Sequence, residues 1–436
     1  MERKNAWAAY AGDDGRVEAF AKAYCDFINN GKTERECVAY GEKLAKAHGF
    51  EDLNAVVRSG RKLEAGARVY VNWMGKSFML FVLGEKPLEE GMNILGAHID
   101  SPRIDVKQNP LYEDTDLAYL DTHYYGGIKK YQWVAIPLAL HGVIVRKTGE
   151  KVIINIGEDE NDPVFCISDL LVHLAQEQMT KNAKEVVEGE ALNLIVGGRP
   201  LEGEEKDAVK ANVLKLLADK YGVEEEDFLS AELEIVPAGK ARDMGFDRSM
   251  ILAYGHDDRV CAYPSMMAVL DYEGTPEYTL CCIVTDKEEI GSVGATGMAS
   301  HYLENTVAEL YACTADYCEL AVRRCLRNSR MLSSDVSAGY DPNFASAFEK
   351  KNSAFLGRGI CFNKFTGSRG KSGSNDANPE FMASLRKIMD DAGVAFQTAE
   401  LGRVDLGGGG TIAYLCAKYG MNVIASGIPV RRMHAP

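Results

Sequence analysis

The stretch TDKEEIGSVGATG, Thr285–Gly297, decides how this chain is read. The apolar, β-prone run of Tyr278, Leu280, Cys281, Cys282, Ile283 and Val284 leads into it, and Gly291, Gly294 and Gly297 follow. That order describes a buried strand ending in a turn that delivers Glu288 and Glu289 side by side. Adjacent carboxylates on extended backbone point in opposite directions, so one can bind a metal while its neighbour faces a water. An isolated acidic pair is more commonly a solvated turn. Its company elsewhere in the chain settles the matter.

Four other segments end or interrupt an apolar run with potential metal donors. The short strand Asn93–Ala97 runs straight into His98, and Asp100 follows two residues later, on the same face of an extended segment. There its carboxylate can orient the imidazole. The run GHDDR, residues 255–259, puts Asp257 and Asp258 at the start of a helix. Asp335 follows Met331, Leu332, Ser333 and Ser334, and His434 stands in the closing RRMHAP. Each has an ordinary explanation: an N-cap for Asp257, a turn for Asp335, a satisfied interior histidine for His98 or His434. Together they place two imidazoles and several carboxylates at strand ends, where open α/β sheets build their sites. A mixed set of that size suits two borderline cations such as zinc, cobalt or manganese. Metal-activated water with a carboxylate base is the matching chemistry, which means hydrolysis.

The frame around these segments is that of a large α/β protein. At 436 residues, with 46% hydrophobic and 26% charged side chains, the chain is an ordinary globular sequence of two domains or one elaborated one. Its 49 basic and 64 acidic residues leave a charge of −15, which disfavours nucleic acid and anionic membrane as partners. No apolar stretch approaches the ~20 residues of a membrane span, and the start lacks a secretory core. Eleven scattered cysteines without a C-x-x-C pair point to reduced thiols and a cytoplasmic location.

Val17, Phe20, Ala21, Tyr24, Phe27 and Ile28 recur at helical spacing, and Glu34–His48 reads as a second helix. Residues 67–73 and 77–83 alternate as a hairpin across Gly75. From 110 to 229 the character changes to Tyr- and Gly-containing β-like segments, a helix-like run Ser168–Gln178 and a helix Ala208–Tyr221. None of the donor segments falls there. The block is therefore expected to be an inserted, largely β domain, with residues 1–109 and 230–436 forming the catalytic part. In that second part strands are expected at Glu232–Val236, before Glu288, at Glu309–Ala315 and at Met421–Ala425. Helices are expected at Asp258–Leu270, Gly297–Leu303, Ala321–Arg327 and Asn378–Asp391. The alternation predicts an α/β fold, a mixed sheet flanked by helices. The run Gly407–Gly410 lacks the context of a nucleotide-binding loop and reads as close backbone approach or a plain turn.

GAHIDSP, GHDDRV, DKEEIGSVGATG, SSDVSAGYDPNF, FNKFTGSRGKSGSNDAN and the terminal MHAP, in this order, resemble the M18 family of metallo-aminopeptidases, its bacterial branch more than the animal aspartyl aminopeptidases. The resemblance covers nearly the whole chain and implies the di-zinc exopeptidase type of fold. It makes Asp257 the carboxylate bridging two metals, with His98 and Asp335 completing one site and Glu289 and His434 the other. Glu288 would be the general base acting on a bridging water, and Asp100 would hold His98. Lys364 matches a family lysine near the substrate. Two divalent ions, zinc foremost with cobalt or manganese as alternatives, and peptides with a free α-amine as substrates are implied with it. So is a homododecamer assembled through the inserted domain, with Ser168–His173 corresponding to a segment that reaches a neighbouring subunit's site.

Two departures from the family pattern matter. Ala338 and Asp341 stand where the animal enzymes carry histidines, so a preference for acidic N-terminal residues does not carry over. The sequence also stops two residues after His434, where family chains usually continue, so the expectation is either a truncated sequence or an end held by packing. The competing functions are a related di-metal deacylase or carboxypeptidase, and a non-catalytic assembly protein that has kept the fold.

Overall fold

The computed structural model describes residues 4–435. The chain divides into two compact units: Met1–Asp100 with Gly255–Met433, and Ser101–Tyr254 with His434–Pro436.

The first unit is built on a nine-stranded sheet. In spatial order its strands are Glu51–Asp52, Arg68–Trp73, Ser77–Val82, Thr279–Thr285, Met92–His98, Arg330–Ser334, Asn422–Gly427, Ile360–Asn363 and Phe396–Thr398. The four from Thr279–Thr285 to Asn422–Gly427 run parallel to one another. Parallel strands are covered on both faces, and their sequences show it: in Thr279–Thr285 every residue except Leu280 is buried. Leu303, Val307 and Leu310 of helix Tyr302–Thr314 join Val322 and Cys325 of helix Glu319–Asn328 in a core with Ile94, Ile283, Met331 and Val423. The opening helices form at Asp14–Asn30 and Glu34–Ala47, the second begun by a capping box between Thr33 and Glu36. The hairpin across Gly75 is present as well.

Two expected elements of this unit are different. The expected strand Glu309–Ala315 is helical up to Thr314, inside Tyr302–Thr314, because Leu303, Val307 and Leu310 repeat at helical spacing and outweigh the local β preference of Tyr311, Cys313 and Thr314. Residues 297–301 precede that helix and return along the strand end, where Gly297 bridges to Asp286. The Gly407–Gly410 run is a site of close approach: a Cβ on Gly407 would stand 1.9 Å from the Leu401 carbonyl oxygen, and one on Gly408 2.4 Å from that of Gly367.

The second unit carries a seven-stranded antiparallel sheet in the order Lys151–Ile156, Leu138–Val145, Ala231–Pro237, Arg103–Asp114, Leu117–Tyr125, Leu194–Gly197 and Cys166–Ile167. Ile104, Leu138, Leu140, Leu194 and Ile235 form its core with the fully buried Trp133, and helix Ala208–Tyr221 adds Val209. The strand at 232–236, expected beside the helix at 258–270, is instead hydrogen-bonded between Leu138–Val145 and Arg103–Asp114. The compact unit is accordingly wider than the block 110–229. Ser168–Gln178 is not a helix but an irregular segment with short 3-10 turns at Val172–Leu174 and Gln178–Thr180. An isolated helix of that length needs its apolar stripe buried, whereas Val172 and Leu174 stay 74% and 66% exposed.

Candidate metal centre

The parallel strands end level with one another, Thr285 lying opposite His98 in register. Their carboxyl ends supply the donors. His98 is the last residue of its strand, Asp335 the first beyond Arg330–Ser334, and Glu288 and Glu289 lie in the turn after Thr285. Asp335 is anchored by its N–H donating 2.9 Å to the Ser426 carbonyl of the next strand. Gly427 must lack a side chain there, since a Cβ would stand 1.7 Å from the Asp335 carbonyl oxygen. Asp257 and Asp258, joined by a cis peptide, come from the start of helix His256–Leu270, where their backbone is not yet helical. Buried Arg259 ties that start to the strand end: its Nε donates to the Ile99 carbonyl (3.2 Å) and its Nη2 to that of Lys32 (3.0 Å).

These elements bring five expected residues together. Donor atoms of His98, Asp257 and Glu289 lie within 4.8 Å of one another, as do those of His98, Glu288 and Asp335. A third such group is Asp257, Asp258 and Asp335. His98 Nε2 is 3.2 Å from Asp257 Oδ1 and 4.0 Å from Asp335 Oδ1. Its Nδ1 faces the Asp100 carbonyl at 3.0 Å and the Asp100 carboxylate at 3.3 Å. With oxygens at Nδ1, that nitrogen holds a proton, which leaves Nε2, the nitrogen facing the carboxylates, as the one a metal would take. Glu288 and Glu289 are not on extended backbone: Glu288–Ile290 is one 3-10 turn, entered through Lys287 at φ +70°. Their carboxylates nevertheless divide between two donor groups.

The electrostatics call for a cation. Burial lifts the Asp258 carboxyl to about 8, with the charge of Asp257 adding to it and His98 opposing. Burial likewise holds Asp335 well above the ordinary range, aided by Asp257, Asp258 and Glu288. Burial disfavours a charged His98, yet hydrogen bonds to Asp100 and Asp257 and the charge of Glu288 outweigh it and raise the imidazole. A bound cation would relieve carboxylates crowded in this way. Asp258 Oδ1, buried with no hydrogen-bond partner, fits the same reading. The donor set of imidazole and carboxylates is one that zinc accepts.

The other expected residues are placed as follows. His434 belongs with the second unit, where its Nδ1 lies 2.6 Å from the Gly127 carbonyl oxygen. Lys364 is ion-paired to Asp376 on a half-exposed loop and sits beside the ring of Phe365. Asp341 pairs with Arg431 at 3.2 Å and caps the short turn Pro342–Ala347, while Ala338 lies in a two-residue strand. Asp258 and Arg259 were legible only as neighbours of Asp257; burial gives them their importance. Asp286, whose Oδ2 accepts from Thr296 Oγ1 at 2.5 Å, is a further buried acid raised to about 6, by burial first and then by Glu34 and Asp100.

A family profile described as aminopeptidase I zinc metalloprotease (M18) matches residues 27–436. The probable M18 family aminopeptidase 1 of Clostridium acetobutylicum is 58% identical over 439 residues, covering 100% of this chain and 94% of that protein. Among solved structures, an M18-family aminopeptidase from Thermotoga maritima superposes with a TM-score of 0.94 at 43% identity, covering 100% of this chain and 95% of that one. A more distant likeness of fold is the S. cerevisiae mApe1 dodecamer, at TM-score 0.75 and 20% identity over 96% of this chain and 92% of that one. The chain belongs to the M18 family of zinc metalloproteases and is a peptide hydrolase.

Proposed function

We propose that this chain is a two-metal aminopeptidase that removes N-terminal residues from short peptides. The observation that carries the proposal is the gathering of His98, Glu288, Glu289 and Asp335 at the ends of neighbouring parallel strands with Asp257 at the start of helix His256–Leu270. In this reading His98, Asp257, Glu289 and Asp335 hold two divalent cations, zinc foremost, with His434 as a further ligand. The bound cations would polarise the scissile carbonyl and make water acidic enough to attack near neutral pH. Glu288 takes the proton from the attacking water and returns it to the departing amine. Asp100 keeps the proton of His98 on Nδ1, so Nε2 stays a ligand. Lys364 contributes to substrate binding. Asp341, engaged with Arg431 where the animal enzymes carry a histidine, supports a substrate preference different from theirs.

The same proposal includes self-assembly, for which the exposed apolar run Leu170–Leu174 and the dodecameric fold relative give support. Ser168–His173 would then reach the site of a neighbouring subunit. A cytoplasmic location accords with the cysteines, none of which forms a disulfide.

The test is hydrolysis of matched peptides with free and acetylated N-termini, after chelation and after return of zinc, cobalt or manganese. Release of single N-terminal residues from the free peptides alone, lost on chelation and restored by metal, is expected. Cleavage of the acetylated peptides, or release from the carboxyl end, would replace the aminopeptidase with a deacylase or carboxypeptidase.

A further inference from the structure

The carboxylate of Asp100 is fully buried, and besides lying 3.3 Å from the His98 ring at Oδ1 it reaches a different element with both oxygens. Oδ1 accepts the backbone N–H of Glu288 at 3.1 Å, and Oδ2 accepts that of Glu289 at 3.2 Å. These are first N–H groups of a short helical turn, which have no partner within it. The turn closes on itself downstream, through the N–H groups of Ile290 (3.3 Å) and Ser292 (2.6 Å) to the Lys287 carbonyl and Gly291 N–H to that of Glu288 (2.9 Å). The His98 ring, meanwhile, finds a nearer acceptor in the Asp100 backbone carbonyl (3.0 Å) than in the carboxylate (3.3 Å). Any residue at position 100 provides that carbonyl.

We infer that the Asp100 side chain is chiefly a positioning residue for Glu288 and Glu289, a two-pronged clamp on their backbone, while the Asp100 main chain orients His98. This rests on the roles proposed above for the two glutamates. Two charge-assisted hydrogen bonds fix where both carboxylates start from, and small displacements of such groups are expensive in rate. The clamp also has a distinctive sensitivity. Asparagine keeps the shape of aspartate, but its amide must point an N–H at one of two backbone N–H groups, donor against donor. His98 would keep its carbonyl.

The experiment compares wild type with Asp100→Asn by hydrogen exchange of metal-free protein and by zinc stoichiometry after dialysis. Exchange at the Glu288 and Glu289 amides should quicken by roughly tenfold or more, the loss of at least one charge-assisted bond, while the His98 amide is unchanged. Zinc should fall as in Glu289→Gln. The double variant Asp100→Asn/Glu289→Gln should lose no more, whereas Asp100→Asn with Asp335→Asn should lose the remainder. Unchanged exchange at the two amides, or zinc loss additive with Glu289→Gln and absent beside Asp335→Asn, overturns the clamp. If the variant does not fold, wild type alone decides: amides of Glu288 and Glu289 that exchange like an open loop overturn it, and protected ones support it. Wild type that binds no zinc would remove the two-metal proposal, and the exchange result would still judge the clamp.

Discussion

Glu288→Gln is expected to leave a folded protein that binds metal as before and turns over about 10²–10⁴-fold more slowly, the usual worth of a general base. Glutamine fills the same space and its backbone N–H still reaches Asp100 Oδ1, so the turn has no reason to move. What disappears is the group that accepts the water's proton. The loss should fall on kcat, with KM little changed, because the residue acts on the attacking water and not on peptide binding. Steady-state kinetics beside zinc analysis of the same samples checks it. A variant keeping more than about a tenth of the parent kcat would take Glu288 out of the role.

The second large effect has opposite signs with and without metal. Asp257 belongs to two of the ligand-spaced groups and faces His98 Nε2 at 3.2 Å, so Asp257→Asn should weaken zinc binding by more than the roughly 10–100-fold typical of an outer partner. Without metal the same change removes one charge from a crowded cluster. The Asp258 carboxyl, raised by burial to about 8, binds a proton in the folded protein that the unfolded chain releases near pH 4. Asp335, raised for the same first reason, acts alike. Metal-free stability should therefore fall as pH climbs from about 4 to 8. The raised His98 works in the same sense, since its charge stabilises below the unfolded pKa and is lost as pH passes the folded one. Asp257→Asn is expected to flatten that fall, making the metal-free variant the more stable protein near pH 8 and the zinc-loaded variant the less stable. Melting temperatures across pH, with chelator and with zinc, read both signs. A steeper fall in the metal-free variant would show that the cluster is not under the strain described.

The residues that carry these effects were readable because each ends an apolar run. His98, Asp335 and the Glu288–Glu289 pair each stand at or just past the end of a largely buried strand, and continuous apolar strands are the plainest signal in an α/β sequence. Helix His256–Leu270 was visible for the same reason. Sequence reading went astray where tertiary context overrides local preference. The run at 309–315 contains good strand formers yet is held helical by what Val307 and Leu310 bury. Ser168–Gln178 is apolar enough for a helix, yet Leu171, Val172 and Leu174 stay exposed and only Ala175 among these four is buried. The strand at 232–236 looks alike in either sheet, and only its partners assign it. The clamp by Asp100 had no signature at all, since its partners are backbone N–H groups 188 and 189 positions away.

Asp335 takes its place from the Ser426 carbonyl on strand Asn422–Gly427, which lies far downstream of the other donors. Parallel neighbours of this kind are joined by long crossovers and cannot pair before both have been made. During translation, then, His98, Asp257 and both glutamates leave the ribosome well before the strand that seats Asp335. A chain cut before Asn422 is expected to hold four of the five gathered donors and to leave the fifth, Asp335, without the carbonyl that seats it.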